Sequence, residues 1–410
     1  MITVPFDRRR MYKFPWSKTD NPGAWVEVTD ECDLYCPGCY RHRLEGHRSL
    51  DDVKSDILRC RDLTNCSRIS IAGGEPLIYP QIVEVVDFIF SHHLQPVIFT
   101  NGNNFTQELA LELKKAGIHQ IFFHVDSGQK RPGWENRSES DLNQLRQHYA
   151  DMVRNLRGVQ CGFNVTITRR TLPEVPMIVG WVRRNIDKVQ NVSLIALRGL
   201  DLSPGKKYMV NGRVIDTTVW QSRSDDPHEI TITSEEIYEV IERQFPGSNP
   251  AAYLSGTARP ETYKFLILLF LGSPYMTYGV AGGKAVELNE ALTHLRKGQY
   301  IAGFPNPQIG KRVFFLALVD TEIRRALGRF LGAALKNPSR LLDRIYIQCI
   351  NIQQPNEILD GEANLCDGCL NQMAYRGELI PSCLLDEYRL FGGPIVEVKG
   401  WGTGEHVGQR

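Results

Sequence analysis

"VTDECDLYCPGCYRHR", Val28 to Arg43, carries three cysteines, Cys32, Cys36 and Cys39, in a C-x3-C-x2-C run. Three thiolates on one short loop can hold three irons of a [4Fe–4S] cube and leave the fourth iron without a protein ligand. An electron carrier normally closes its cluster with a fourth cysteine, so an open iron is a place to bind a ligand and do chemistry. The competing reading is zinc, which prefers four ligands and usually pairs two C-x2-C knuckles. Three cysteines at this spacing, with no fourth nearby, favour iron–sulfur.

Around that run the chain alternates between short apolar stretches and helical ones. The strand candidates are "AWVEV" (24–28), "RISIA" (68–72), "PVIFT" (96–100), "QIFFHV" (120–125), "GFNVTI" (162–167) and "VSLIAL" (192–197). Most are nearly continuous apolar runs, as expected of parallel strands covered on their outer face. One helix starts at Ser49 in "SLDD", a capping box with Asp52 in the usual Glu place. Others are expected near 81–93, 106–116, 141–156 and 175–185. Six β/α units imply an α/β fold with a parallel sheet and right-handed crossovers, its chemistry on loops at the carboxyl ends of the strands.

Gly73-Gly74-Glu75-Pro76 directly follows the second strand, about 35 residues after the cysteine loop. Glycines let backbone carbonyls approach an ammonium group, and a carboxylate helps to hold its charge. Thr100-Asn101-Gly102 ends the third strand, although N-G is also a common turn dipeptide. The cysteine run with these two strand ends resembles the radical S-adenosylmethionine (SAM) superfamily, over residues 20 to 200.

The resemblance implies a partial (β/α)6 TIM-like barrel whose open iron chelates the amino and carboxylate groups of SAM. An electron from a flavodoxin or ferredoxin-type reductant then cleaves SAM to a 5′-deoxyadenosyl radical, which takes a hydrogen from an unactivated carbon of the substrate. Cys32, Cys36 and Cys39 would be the catalytic cluster's ligands. Gly73, Gly74, Glu75 and Pro76 would hold the SAM ammonium, with Thr100 and Asn101 near its carboxylate. His124, Asp126 and Ser127 end the fourth strand. Asn164, Thr166 and Arg169 end the fifth, where family members contact ribose and carboxylate, and Ile195 would meet the adenine. The family usually has an aromatic residue before the third cysteine; here that position is Gly38, flanked by Tyr35 and Tyr40. Arg41, His42, Arg43, His47 and Arg48 follow the loop; they could ease reduction of an anionic cube, bind an anionic substrate, or form a solvated face.

Near the other end stand Cys366, Cys369 and Cys383 in a C-x2-C-x13-C pattern, with Cys349 17 residues before Cys366. This resembles the short auxiliary-cluster ("twitch") domain of radical SAM enzymes such as the molybdenum-cofactor cyclase. It implies a second [4Fe–4S] cluster, either closed by Cys349 or open toward substrate, and the four-ligand version is the expectation. Zinc on the same four residues stays as an alternative. Cys60, Cys66 and Cys161 have no ligand-like spacing and read as ordinary thiols.

The expected organisation is a core over 20–200, a substrate-covering region over 201–344 and an auxiliary-cluster domain over 345–400. Hydrophobic content of 42% and charged content of 23% are ordinary for a globular chain. A net charge of +1 gives no electrostatic argument for nucleic acid. Ten cysteines in 410 residues, seven of them in two ligand-like groups, favour a reducing, cytoplasmic setting over disulfides. "FLILLFLG" (265–272) is too short to span a bilayer, which takes about 20 residues, and reads as buried core. In "DTEIRRALGRFLGAALKNPSRLLDRI" the residues Ile323, Leu327, Phe330, Leu331, Ala334 and Leu335 fall on one helical face, with arginines mostly elsewhere. Such a helix normally packs on the core, though peripheral membrane contact stays open.

Three substrate classes suit these features: an amphiphilic or lipid-like molecule, an anionic small molecule, and a peptide, as in ribosomal-peptide maturases. The first two are favoured, because only about 20 residues precede the barrel. The rival of another class is a non-catalytic iron–sulfur or zinc protein, which leaves the GGEP and TNG strand ends unexplained.

Overall fold

Six strands lie side by side in chain order, each parallel to the next. They are β1 (Gly23–Thr29), β2 (Arg68–Gly73), β3 (Gln95–Thr100), β4 (Gln120–His124), β5 (Gln160–Ile167) and β6 (Asn191–Ala196). This computed structural model describes residues 7–34, 36, 39, 41, 44–197, 206–217, 232–304 and 306–398. Tyr35, Gly38, Tyr40, His42 and Arg43 lie outside the described residues. Between successive strands run α1 (Leu50–Thr64), α2 (Ile82–Ser91), α3 (Gln107–Lys115), α4 (Asn143–Asn155) and α5 (Val175–Arg184). The partial barrel of six β/α units is the fold expected from the sequence.

Local chemistry sets these boundaries. The Ser49 hydroxyl accepts from the Asp52 amide at the start of α1 and donates to the Asp52 carboxylate at 2.6 Å. At the other end Asn65 takes the left-handed conformation, φ 54°, that ends helices without strain for Asn and Gly. Val53, Ile57 and Cys60 of α1, with Val85, Val86 and Ile89 of α2, bury the outer face of the sheet against Ile69, Ile71 and Ile98. On the inner face Trp25, Phe99 and Phe122 stack across β1, β3 and β4, with ring centroids 5.0 and 4.7 Å apart.

The sheet continues past both ends of the barrel. With the two-residue strand Tyr12–Lys13, β7 (Ala252–Ser255), β8 (Tyr263–Ser273), β9 (Met276–Ala281), β10 (Tyr346–Gln353), β11 (Gln372–Tyr375) and β12 (Glu378–Pro381) bring it to thirteen strands. β10 runs parallel to β6 at one edge and β11 parallel to β1 at the other, with β8 antiparallel to β10. The apolar run 265–272 is the middle of β8, buried as expected. Residues from both later segments thus add strands to the barrel's own sheet, and the chain between β10 and β11 spans the gap between its edges.

The amino ends of the strands form the floor. There the Ser67 hydroxyl, the Arg68 guanidinium and the Gln160 amide donate to the carbonyls of Tyr300, Ala302 and Phe304. α6 (Ser234–Gln244), α7 (Gly283–Lys297), α8 (Thr321–Lys336) and α9 (Leu385–Phe391) complete the helices. Asp320 caps α8 by accepting from the amides of Glu322 and Ile323. The buried face of α8 is narrower than the sequence suggests. Ile323, Ala326, Phe330 and Ala334 face the core, whereas Leu331 and Leu335 lie further round the helix and are exposed. Among the described residues no helix is long and apolar enough to cross a membrane.

Candidate functional site

A cavity of about 1200 Å³ runs inside the barrel from the carboxyl ends of the strands to the floor. Cys32, Cys36 and Cys39, on the loop after β1, all line it. Leu34 and Arg41 donate their backbone N–H groups to the sulfurs of Cys32 and Cys39, each at 3.4 Å, and the Cys39 amide donates to the Cys36 carbonyl at 3.1 Å. Burial pushes the Cys32 thiol up to about 11, with Glu75, Asp33 and Cys39 adding to it. Burial also raises Cys36, and the charges of Cys39, Asp126 and Cys32 act in the same direction. The three sulfurs therefore stand in one another's field, and a metal that binds them must displace their protons.

The GGEP turn is what holds this loop. Gly74 and Glu75 donate their amides to the carbonyls of Thr29 and Glu31, both at 2.8 Å. A Cβ on Gly73, whose φ is +134°, would stand 2.2 Å from the Thr29 carbonyl, and one on Gly74 2.1 Å from that of Glu31. Both glycines are required for the end of β2 to meet the cysteine loop backbone to backbone. Glu75 lines the cavity and is also tied into the fold. Its carboxylate accepts from the Thr100 hydroxyl at 2.5 Å, the Asn101 amide at 2.6 Å and the Leu77 amide at 2.9 Å. Burial pushes its carboxyl up to about 7. Pro76 opens the following helical turn and does not line the cavity.

Asn101 reaches the cluster loop, donating to Asp33 at 2.5 Å with Cys32 4.0 Å away. Arg131, which the sequence reading missed, is buried beneath it and donates to the Asn101 and His124 carbonyls and to Asn103. Asp126 accepts from His124 at 2.6 Å and from the Thr166 amide at 3.0 Å. Burial works to raise its carboxyl, but His124 and Thr166 together hold it below the ordinary value. The Ser127 hydroxyl and the Asn164 side-chain oxygen are buried in the cavity wall with no partner, as is the Asn351 oxygen on β10. Buried polar atoms are normally satisfied, so these three mark a wall shaped for a polar ligand. Among the described residues no three His, Cys, Asp or Glu side chains are already gathered closely enough to hold a metal ion, but Cys32, Cys36 and Cys39 line the same cavity as these polar atoms, and that donor set fits an iron–sulfur cluster beside a bound polar cofactor.

Thr166 and Ile195 also line the cavity, but Arg169 does not. Its guanidinium pairs with Glu236 of α6 at 2.5 Å, and the neighbouring Arg170 lines the cavity instead. The described basic residues after the cysteine loop, Arg41, His47 and Arg48, are likewise committed. Arg41 is buried among Glu27 at 2.9 Å, Asp30 at 3.1 Å and Asp386 at 2.5 Å. Arg48 pairs with Asp56, and the His47 ring meets the Thr29 hydroxyl at 2.8 Å. Nothing in the sequence around Arg41 indicated that its partners would come from β1 and α9.

In the second group, Cys366 and Cys369 share a hydrogen bond that holds Cys366 up and Cys369 down, and Cys383 adds its charge to Cys366. Cys383 faces the cavity. Cys349 lines the same cavity as Cys383. It is locked in β10 between Leu269 and Asn191, and Arg68 is the charged group that acts on it. All ten cysteines are free thiols.

At the floor, Glu290 of α7 is 3% exposed and its Oε2 has no partner. Burial pushes its carboxyl up to about 7 from 4.5. Between those values the folded state holds a proton that the unfolded state has lost, so stability falls as pH rises from about 4.5 to 7. The loss is on the order of 3 kcal/mol. Glu290→Gln is expected to stabilise the apoprotein against urea at pH 8 and to change nothing at pH 4.5. Equal effects at both pH values would show that Glu290 is not the titrating group.

Residues 26–173 match the Radical SAM superfamily. The chain is 24% identical over 149 residues to a probable GTP 3′,8-cyclase of Methanocaldococcus jannaschii, covering 35% of this chain and 46% of that protein. It is 24% identical over 173 residues to the Fe-coproporphyrin III synthase of Methanosarcina barkeri, covering 40% and 41%. It thus spans less than half the length of these curated relatives. Among solved structures, Streptococcus suis SuiB bound to S-adenosylmethionine aligns at a TM-score of 0.39 and 15% identity, covering 55% of this chain and 47% of that one. The family match falls on the strands and loops that build the cysteine site, so residues 26–173 form a domain like those of the radical SAM superfamily, whose enzymes bind a [4Fe–4S] cluster and SAM.

Proposed function

We propose that the chain is an enzyme that cleaves SAM reductively and abstracts a hydrogen from an unactivated carbon of an amphiphilic substrate. The observation that carries this reading is one cavity lined by Cys32, Cys36 and Cys39, by Gly73, Gly74, Glu75, Thr100 and Asn101 at two strand ends, and by the unpartnered Ser127 hydroxyl and Asn164 side-chain oxygen. When bound, the cluster and SAM supply the 5′-deoxyadenosyl radical, and the electron comes from a flavodoxin or ferredoxin-type reductant. The chain's own residues orient and exclude water. Gly73 and Gly74 bring backbone against the cysteine loop, Asn101 and Asp33 tie that loop to β3, and Ser127, Asn164 and Thr166 offer polar atoms to the bound cofactor.

The rest of the lining supports the substrate class. Phe265, Ile267, Leu269, Val286 and Phe304 make much of the inner part apolar, with Arg68 and Glu290 at its floor, while exposed Lys130, Arg137 and Arg170, with Glu135 and Glu174 among them, line the part near the strand ends. A molecule with an anionic head and a hydrocarbon body matches that division. Free cysteines throughout suit a reducing, cytoplasmic setting.

A second cluster on Cys366, Cys369 and Cys383 belongs to the same proposal, with Cys383 and Cys349 both lining the cavity. Anaerobically reconstituted protein is then expected to hold about eight irons per chain. Cys369→Ala should lower that by about half while SAM cleavage persists. Unchanged iron in the variant would remove the second cluster, and about four irons with one zinc would make the site a structural clip.

A further inference from the structure

The end of the barrel opposite the cysteine loop carries an unusual surface. Among the described residues the five most exposed large apolar side chains are Leu335, Leu318, Leu342, Leu295 and Phe315, all at least 78% exposed. The topology puts every one of them at the floor end. β10 starts beside the first residues of β6, and residues 338–342 lead directly into it. The Gly310 amide donates to the Ile345 carbonyl, so the helical stretch 311–318 begins at the same level. Leu295 lies in the last turn of α7, where His294 meets Asp20 just before β1 and the Asn65 side chain reaches the Gly298 carbonyl.

These segments are held firmly. Phe330 of α8 packs on Phe314 and Tyr278, with ring centroids 5.1 and 5.2 Å away. Arg324 donates to the carbonyls of Ala317 and Leu318 and so fixes the 311–318 stretch against α8. With its inner face already buried, α8 turns a second apolar stripe outward, Leu331 and Leu335 with Gly328 and Gly332 beside them. Tyr275, at the tip of the β8–β9 hairpin, joins the surface under Arg340, whose guanidinium lies 5.1 Å from its ring.

The charge around these leucines is one-sided. Residues 311–344 hold eight Lys and Arg against three acids, whereas the whole chain balances to +1. Two of the three acids are buried, Asp320 as the α8 cap and Asp343 under Tyr278 and Ser273, and the third, Glu322, is paired with Arg325. Lys311, Arg312, Lys336 and Arg344 remain on the surface.

We propose that this end of the barrel docks on an anionic lipid bilayer, the protruding leucines and Phe315 entering the headgroup boundary and the Lys and Arg side chains meeting lipid phosphates. Outward apolar side chains ringed by fixed cations are what an interfacial surface needs. A soluble protein partner would have to supply both a large apolar patch and a matching acidic rim. The inference goes beyond the reading of the cavity and does not depend on it.

The test is co-sedimentation of the full chain with vesicles of phosphatidylglycerol and phosphatidylcholine, without SAM or reductant. The wild type is expected to pellet with them, and at least about tenfold less with pure phosphatidylcholine or at 1 M salt. Leu335→Glu/Leu342→Glu, both at exposed positions, should lose about tenfold or more of the binding with an unchanged melting temperature and unchanged SAM cleavage. Failure of the wild type to bind anionic vesicles would overturn the proposal. So would a wild-type dimer, seen by light scattering, that the double variant turns into monomers without any effect of vesicles. If SAM cleavage fails while vesicle binding survives, the reading of the cavity falls and the docking surface stands.

Discussion

Cys36→Ala protein, reconstituted with iron and sulfide, is expected to release no 5′-deoxyadenosine above background, a loss of at least about a hundredfold. Cys36 is the middle cysteine of the loop and the most deeply set. Burial raises its thiol, the Gln129 carbonyl lies 3.9 Å from its sulfur, and its two cysteine neighbours act on it in the same direction. Such a thiol loses its proton when a metal binds it. Two remaining thiolates cannot fix three irons, so the loss should appear in iron content as well as turnover. Cys161→Ala is the control, since Cys161 is buried in β5 away from the cavity and should keep both. Full cleavage by the Cys36 variant would mean that the cluster sits elsewhere.

The second large effect is expected at Arg41. Its guanidinium is 5% exposed and answers Glu27, 2% exposed, and Asp386, 3% exposed. Removing one partner from a buried ion group leaves uncompensated charge, so Arg41→Ala is expected to cost about 3–5 kcal/mol in urea unfolding of the apoprotein. The cost has a pH signature. Burial already pushes the Glu27 carboxyl up, and Arg41 is the largest influence pulling it back. Without Arg41 the carboxyl should stay protonated to higher pH, so the deficit shrinks on acidification. Adding Glu27→Gln and Asp386→Asn should return part of the stability. A loss below about 1 kcal/mol would show the trio to be no better than a surface pair.

Arg41 also marks where the sequence stopped being informative. The six parallel strands and the helices between them were legible because each buries its own periodic apolar face, and because Ser49 and Asn65 punctuate α1 in familiar ways. The cysteine loop was legible for a different reason: a ligand set depends on residue type and spacing. Beyond residue 200 the order comes from long-range pairing. β8 takes its place only by lying against β10, 80 residues later, and β11 only by meeting β1 at Ala24. No local period records such pairings.

The same cause explains the site residue that moved. Arg169 was placed by its position at a strand end, but Glu236, on a helix with no visible link to β5, takes its guanidinium. Leu331 and Leu335 read as core because a helical stripe records amphipathicity without saying how wide the buried part is. Here α8 is apolar on two faces, and only packing tells which is covered.

The most direct measurement is 5′-deoxyadenosine and methionine formed when the anaerobically reconstituted full chain is reduced with dithionite in the presence of SAM. If the loop of Cys32, Cys36 and Cys39 holds a cluster beside the GGEP turn, both products appear in equal amounts, and neither appears without reductant. Protein loaded with iron and sulfide that yields neither product after reduction would contradict the account.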